Sequence, residues 1–261
     1  MTNHRVQSNE PVRAELPHYQ EILDNTDWAS LETPSGTGEL LPTALVRLLH
    51  ADPRVRATAV VDALRVVTHQ NTIYEATVPV ALYVATVLNH PATVAGGFEQ
   101  DADQPPHYLT RVALLDWLSS TAYDADDECV AIGERSSGSA FLDECPDMRA
   151  FRGLRPSFYS AVHPLLEHDD ADVRAAALVA ALPLAEHPAL AQHRSELVDH
   201  ARRLLNTSTD RYKRDRVLEA LTAWGHDISG LENADDVAVR ELRARRIAER
   251  WTGGCSEDPP F

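Results

Sequence analysis

Apolar residues recur every three to four positions along most of the chain, the spacing that lines one face of a helix, and no convincing alternating strand appears. Leu41, Leu45, Leu48 and Leu49 form one stripe, Val55, Ala59, Ala63, Val66 and Val67 the next, and Val80, Val84, Val87 and Leu88 a third. After a polar interval come Leu114, Leu115 and Leu118, then Val162, Leu165 and Leu166 ahead of Val173, Ala177, Ala180 and Leu184. Leu197, Ala201 and Leu204, then Val217, Leu221 and Trp224, then Ala244, Ile247, Ala248 and Trp251 complete the series. The pattern predicts an all-α fold of about ten helices, most of roughly 12–18 residues.

The predicted helices share a local signature. DPRVR at 52–56, DADVR at 170–174, DRYKR at 210–214 and DVAVR at 236–240 all read Asp, three residues, Arg. Each Asp stands where an N-cap accepts hydrogen bonds from first-turn amides that have no partner within the helix. Pro53 falls on the first helical position, where its missing N–H costs nothing. Three of the four units follow a short apolar helix ending in a Leu pair: Leu48 and Leu49, Leu165 and Leu166, Leu204 and Leu205. A repeated helical hairpin cannot bury its apolar face alone, so neighbours are expected to stack into an α-solenoid.

HQNTIYEAT, residues 69–77, crowds proton carriers between two apolar stretches. The reading favoured here is a helix junction. Asn71 takes the left-handed position that ends the preceding helix. Thr72 is the next N-cap, and Glu75 completes a capping box by reaching back to the Thr72 amide. Catalysis by His69 with Glu75 is the disfavoured alternative.

Two stretches resemble HEAT repeats. AVHPLLEHDDADVRAAALVAAL, 161–182, is similar at Pro164, Asp170, Val173, Arg174, Ala176 and Ala177. LLPTALVRLLHADPRVRATAVVDAL, 40–64, is similar at Pro42, Asp52, Val55, Arg56 and Ala59. The resemblance implies a right-handed α-solenoid in which Asp52, Arg56, Asp170 and Arg174 bond between successive repeats as a ladder. Trp28, Leu31, Gly38, Pro42, Asp52, Pro53, Arg56, His69, Gln70, Tyr74, Ala76 and Thr77 further resemble an N-terminal unit of actinobacterial HEAT-like proteins. Several such solenoids resemble immunity proteins encoded beside secreted polymorphic toxins. The likeness covers about half of the chain, and the spacing of its Asp-to-Arg units is irregular.

Composition adds a charge asymmetry. Of the formal net charge of −16, residues 1–120 hold −7, residues 121–172 hold −8 and residues 173–261 hold −1. Half of the excess therefore sits in about a fifth of the chain, a surface that attracts a basic protein and repels a nucleic-acid backbone. Cys129, Cys145 and Cys255 form no close pair, which fits a reducing compartment. The N-terminus shows no apolar signal core, and the apolar run Val78–Leu88 is about half a bilayer span. A cytoplasmic protein without membrane contact is expected. Residues 16–251 read as one solenoid domain, with acidic insertions near 92–106 and 123–150 and disordered ends at 1–15 and 252–261.

The acidic insertion supplies the candidate partner-binding residues, Asp124, Asp126, Asp127, Glu128, Glu134, Asp143, Glu144 and Asp147. Asp124, Asp126 and Glu128 alternate as a calcium loop begins, yet Cys129 and Arg135 occupy the positions where its Gly and final Glu belong. Among the histidines, His163 with His168 and His187 with His193 miss the i, i+4 spacing of paired ligands, so surface and capping roles are expected. No metal, cofactor or catalytic motif is predicted, and the chain is read as a non-enzyme that binds another protein. Occlusion of a basic toxin's active site by carboxylates is the sharper form of that reading, and a general scaffold or adaptor is the alternative. A HEAT-like DNA glycosylase is the enzymatic rival. It needs a cationic groove, whereas Arg202 with Arg203, Arg211–Arg216 and Arg240–Arg250 are nearly balanced by local acids.

Overall fold

Four helices among the described residues begin on an aspartate whose side chain accepts a first-turn N–H, at Asp52, Asp126, Asp170 and Asp210. A computed structural model describes residues 16–94, 97, 98, 108–138 and 140–252. Expectations for 1–15, for nearly all of 252–261 and for the centre of the 92–106 insertion lie outside the described residues. Contacts group the chain into two compact units, divided between Arg194 and Ser195.

The first unit runs α1 (Tyr19–Asn25), β1 (Glu32–Thr33), β2 (Gly36–Thr37), α2 (Leu41–Arg47), α3 (Pro53–Leu64), β3 (Thr68–His69) and β4 (Thr72–Ile73). It continues with α4 (Thr77–Val87), α5 (Pro91–Val94), β5 (Gly97–Phe98), β6 (Tyr108–Leu109), α6 (Thr110–Tyr123), α7 (Asp127–Ser137), α8 (Phe141–Glu144) and α9 (Pro146–Gly153). Then come α10 (Arg155–Val162), a 3-10 turn at His163–Glu167, α11 (Ala171–Leu184) and a second 3-10 turn at Pro188–His193. The second unit holds α12 (Arg194–Thr207) from its second residue on, α13 (Arg211–Ala223) and α14 (Ala234–Thr252).

The described chain is therefore predominantly helical, as the stripes predict. Asp52 accepts from the Arg54 N–H at 2.8 Å and Asp170 from the Asp172 and Val173 N–H groups at 2.8 and 3.1 Å, so both N-caps form as read. Asp210 caps α13 through the Lys213 N–H at 3.1 Å. Asp236 is different. It lies inside the first turn of α14, and Asn233 is the cap, its Oδ1 accepting from the Asp236 N–H at 2.9 Å.

In the first unit α6 packs between α3 and α11, while α4 packs against α1 and α10. Helix α2 pairs with α3, and α10 with α11. Helix α11 is buried nearly all round, through Val173, Ala176, Ala177, Leu178, Ala180 and Ala181 among others. That makes it the central helix, and its alanines let α6 approach closely. Leu114, Leu115 and Leu118 of α6 are fully buried against it. Each such leucine contributes on the order of 2 kcal/mol.

The expected ladder takes another form. Asp52 and Asp170 are occupied with their own helix starts, and each following Arg turns back onto its own turn. Arg56 Nη1 donates to His50 O and Ala51 O at 2.7 and 2.9 Å, and Arg174 Nη1 to His168 O and Asp169 O at 2.6 and 2.7 Å. The links between hairpins run from Arg56, one of the expected ladder residues, and from Arg111, which carries no sequence signal, to partners that the sequence does not mark. Arg56 Nε donates to Thr110 Oγ1 at 3.1 Å, and Arg111, bonded through Nε to Leu88 O at 2.7 Å, places Nη1 2.9 Å from His168 Nε2.

Strands were not expected, yet three two-residue antiparallel pairs occur, β1–β2, β3–β4 and β5–β6. The second pair replaces the predicted helix junction. Thr68 pairs with Ile73 and His69 with Thr72, joined by Gln70 (φ 49°) and Asn71 (φ 59°). Two consecutive left-handed residues make the I′-type turn that suits a tight hairpin. Asn71 is left-handed as read, but it turns a hairpin and does not end a helix. Thr72 is a strand residue, α4 begins at Thr77 without a side-chain cap, and Glu75 Oε2 accepts from the Glu32 N–H at 2.9 Å. An L-residue held left-handed costs about 1–2 kcal/mol, which Asn tolerates better than Gln. Replacing Gln70-Asn71 by Asn-Gly should therefore raise unfolding stability by about 1 kcal/mol in a denaturant titration. An unchanged or lower midpoint would contradict the turn.

Candidate functional site

The acidic stretch 123–148, expected as an irregular insertion, is mostly helix. Asp126 caps α7 through the Cys129 N–H at 2.7 Å, and Asp127 and Glu128 place negative charge in its first turn, where the helix dipole favours it. Helix α7 turns only Val130 into the core, too sparse a stripe to be seen by periodicity. Its tight packing on α8 depends on Gly133, where a Cβ would come within 2.5 Å of the Phe141 ring.

The eight predicted contact residues divide by what they already touch. Asp127 binds Arg152 Nη2 at 2.5 Å and lies 3.5 Å from Arg155 Nη1, and Asp143 binds Arg149 at 2.9 Å. Asp124 and Asp126 are half-buried beside Cys129, whose thiol is pushed up to about 12 by burial first and by these carboxylates second. That thiol is a poor nucleophile at neutral pH. Asp147 is half-buried as well, and its carboxyl is raised by burial and then by the charges of Glu75 and Glu32. Glu128, Glu134 and Glu144 are exposed, and Ile132 of the same α7 is 48% exposed. The residues assigned to the helix junction add to this acidic side, since Glu75 tethers Glu32 within reach of Asp147.

No family model matches the chain, and neither a curated protein nor a solved structure is significantly similar to it.

What anchors the acidic helices lies outside the predicted set. Arg155, 1% exposed, donates through Nη2 to Ala125 O at 2.5 Å and lies 3.3 Å from Glu186 Oε2. Arg152 Nη1 also donates to Ala125 O, at 2.5 Å, and Glu186 Oε2 accepts from the Asp127 N–H at 2.9 Å. Glu186 follows α11, so the start of α7 is fastened to α9, α10 and the end of the central helix. Burial pushes the Glu186 carboxyl up to about 7, and burial likewise lowers the Arg155 guanidinium. Desolvation thus outweighs mutual attraction at both ends of this pair, although the guanidinium keeps its proton. Arg152, Arg155 and Glu186 carry no shared spacing that periodicity would flag.

Five of the described histidines hold turns that lead into helices. His18, His50, His90, His168 and His187 each accept, through Nδ1, the backbone N–H two residues on, at 3.0–3.3 Å. His163 and His193 depart from this pattern and meet each other, with ring centroids 5.5 Å apart. Among the described residues no helix is long and apolar enough to cross a membrane.

Proposed function

We propose that the chain is a HEAT-like right-handed α-solenoid that binds another protein through the carboxylates of α7 and α8. The packing of α3, α6 and α11 side by side, with α4 and α10 as neighbours in a second layer, supports the solenoid reading. The observation that carries the binding reading is the distribution of charge: Glu128, Glu134 and Glu144 are exposed on α7 and α8, Ile132 is exposed one helical turn after Glu128, and Arg152 and Arg155 fasten the start of α7. A fixed acidic face with an apolar residue in it suits a basic partner. Opposite charge speeds encounter, and a held surface avoids ordering costs on binding.

The partner we favour is a basic toxin domain, which makes the chain a cytoplasmic immunity protein that covers the toxin's active site. A scaffold or adaptor role uses the same face with a different basic protein. Nucleic acid is disfavoured because the basic clusters are locally paired: Arg216 with Glu219, Arg240 with Glu232, and Arg243 with Asp215 and Glu219.

The test is triple charge reversal, Glu128→Lys, Glu134→Lys and Glu144→Lys, which spares Asp126 and Asp127 and so leaves the α7 cap and its arginine bonds in place. Against the basic C-terminal domain of a secreted toxin encoded next to this gene, association should slow by at least about tenfold and lose most of its salt dependence. Association as fast and as salt-sensitive as before would remove this face from the mechanism. Failure of the unaltered chain to suppress that toxin would leave the scaffold reading.

A further inference from the structure

We propose that His163 and His193 form a binding site for a borderline divalent transition-metal ion, with zinc the expected occupant. His163 stands at the end of α10, where it opens the 3-10 turn ahead of α11, and His193 closes the 3-10 turn that follows α11. Thirty positions separate them in sequence, yet one ring nitrogen of each lies within 4.8 Å of the other. Two zinc–nitrogen bonds of ~2.05 Å at a tetrahedral angle need nitrogens ~3.3 Å apart, so the two rings would draw together on an ion. Both imidazoles are half-buried, so part of their surroundings is already set.

Tyr159 positions the pair. It lies one helical turn before His163 on α10, is 3% exposed, and packs its ring 5.4 Å from His163 and 4.9 Å from His193, centroid to centroid. A ring wall of this kind limits how the imidazoles can turn, which lowers the ordering cost of holding an ion. The adjacent Arg194 donates through Nε to Ala185 O at 3.1 Å and through Nη2 to Glu186 O at 3.4 Å. Imidazole nitrogens select zinc, copper and nickel over magnesium and calcium, which prefer oxygen. Two protein nitrogens leave the remaining positions to water or to a group brought by another molecule. A bound ion would join the turns on either side of the central helix and so stabilise the folded state by mass action.

The experiment is a Zn2+ titration of chelator-stripped full-length protein, followed by calorimetry and by the histidine ring protons in NMR, with Mg2+ as the comparison. The expected result is saturable binding that perturbs two imidazoles, raises the thermal midpoint with Zn2+ and leaves it unmoved with Mg2+. His163→Gln and His193→Gln, with unchanged circular dichroism, should each weaken binding by more than about tenfold. Zinc affinity unaltered in both variants, or perturbation spread evenly over the capping histidines, identifies an adventitious ion only and overturns the proposal. No saturable binding by the wild-type chain overturns it as well.

Discussion

Asp236→Ala is expected to destabilise the C-terminal unit by about 3–5 kcal/mol, the usual cost of stripping the counter-charge from a buried cation. Arg214 is 3% exposed and Asp236 5%. The guanidinium donates through Nε to both carboxylate oxygens at 3.1 Å, and through Nη2 to Leu231 O at 3.1 Å and to Asp236 Oδ2 at 2.5 Å. Its Nη1 donates to Leu205 O and Ser208 O, so one side chain joins the end of α12, the start of α13 and the approach to α14. The carboxylate has a second task, because Asp236 Oδ2 accepts from the Asn233 N–H at 2.8 Å and completes the box that starts α14.

Alanine removes the counter-ion and the cap together, whereas Asp236→Asn keeps the shape and removes mainly the charge. Both should unfold early in urea, and hydrogen exchange should accelerate within 195–246. The double variant Arg214→Met, Asp236→Leu should recover most of the loss, since an apolar pair needs no compensating charge. The Arg214 hydrogen bond holds the Asp236 carboxyl below its ordinary range. A depressed carboxyl contributes stability that is present above its unfolded pKa and lost as pH falls through the folded one, so this support disappears in acid. A single variant as stable as wild type, or a double variant no better than the single, would contradict the buried pair.

Local chemistry was legible in the sequence, and long-range chemistry was not. Asp52, Asp170 and Asp210 were readable as caps because an N-cap acts on amides two or three residues away. Asp236 shares their spacing to a following Arg, but that spacing does not separate a cap from the third helical residue, and here the cap is Asn233. The left-handed backbone at Asn71 was readable from residue type, whereas the same geometry at Gln70 was not, and two positive φ values turn a helix stop into a hairpin. Helix α7 escaped because it buries one apolar residue. The ties from Arg56 to Thr110, Arg155 to Glu186 and Arg214 to Asp236 span 54, 31 and 22 positions, and a single sequence contains no periodicity that pairs them. For the acidic surface, composition identified the stretch, and only geometry separated carboxylates occupied in the fold from those facing outward.

Glu186→Gln should become progressively more favourable to stability, relative to wild type, as pH is raised from 5 to 8. The folded carboxyl titrates at about 7 against an ordinary 4.5, because burial penalises its charged form more than the Asp127 N–H and Arg155 relieve it. A group whose folded pKa is raised contributes stability that is fully present below the unfolded pKa and lost as pH rises through the folded one. Between pH 4.5 and about 7 the unfolded chain ionises freely while the folded chain resists, which amounts to roughly 3 kcal/mol once the group is ionised in both states.

Glutamine takes no part in that titration, so the wild-type minus variant difference in unfolding free energy should fall by up to about 3 kcal/mol across this window. His187 opposes the trend in wild type and variant alike: its imidazole is lowered by burial and then by Arg155 and Arg152, so its support is lost as pH falls. The side-chain amide oxygen introduced by the substitution can still accept from the Asp127 N–H, while the charge attraction for Arg155 is gone. A loss in the variant that grows as pH rises would mean that the ion pair outweighs desolvation and would reverse the sign assigned to this contact, and a pH-independent loss would mean that the two cancel. If the expected slope is found, the bolt that holds the acidic helix is an unfavourable one at physiological pH, retained for position and not for stability. Under the proposed reading, that is the trade a binding surface makes: the carboxylates of α7 are held in place at some expense to the fold.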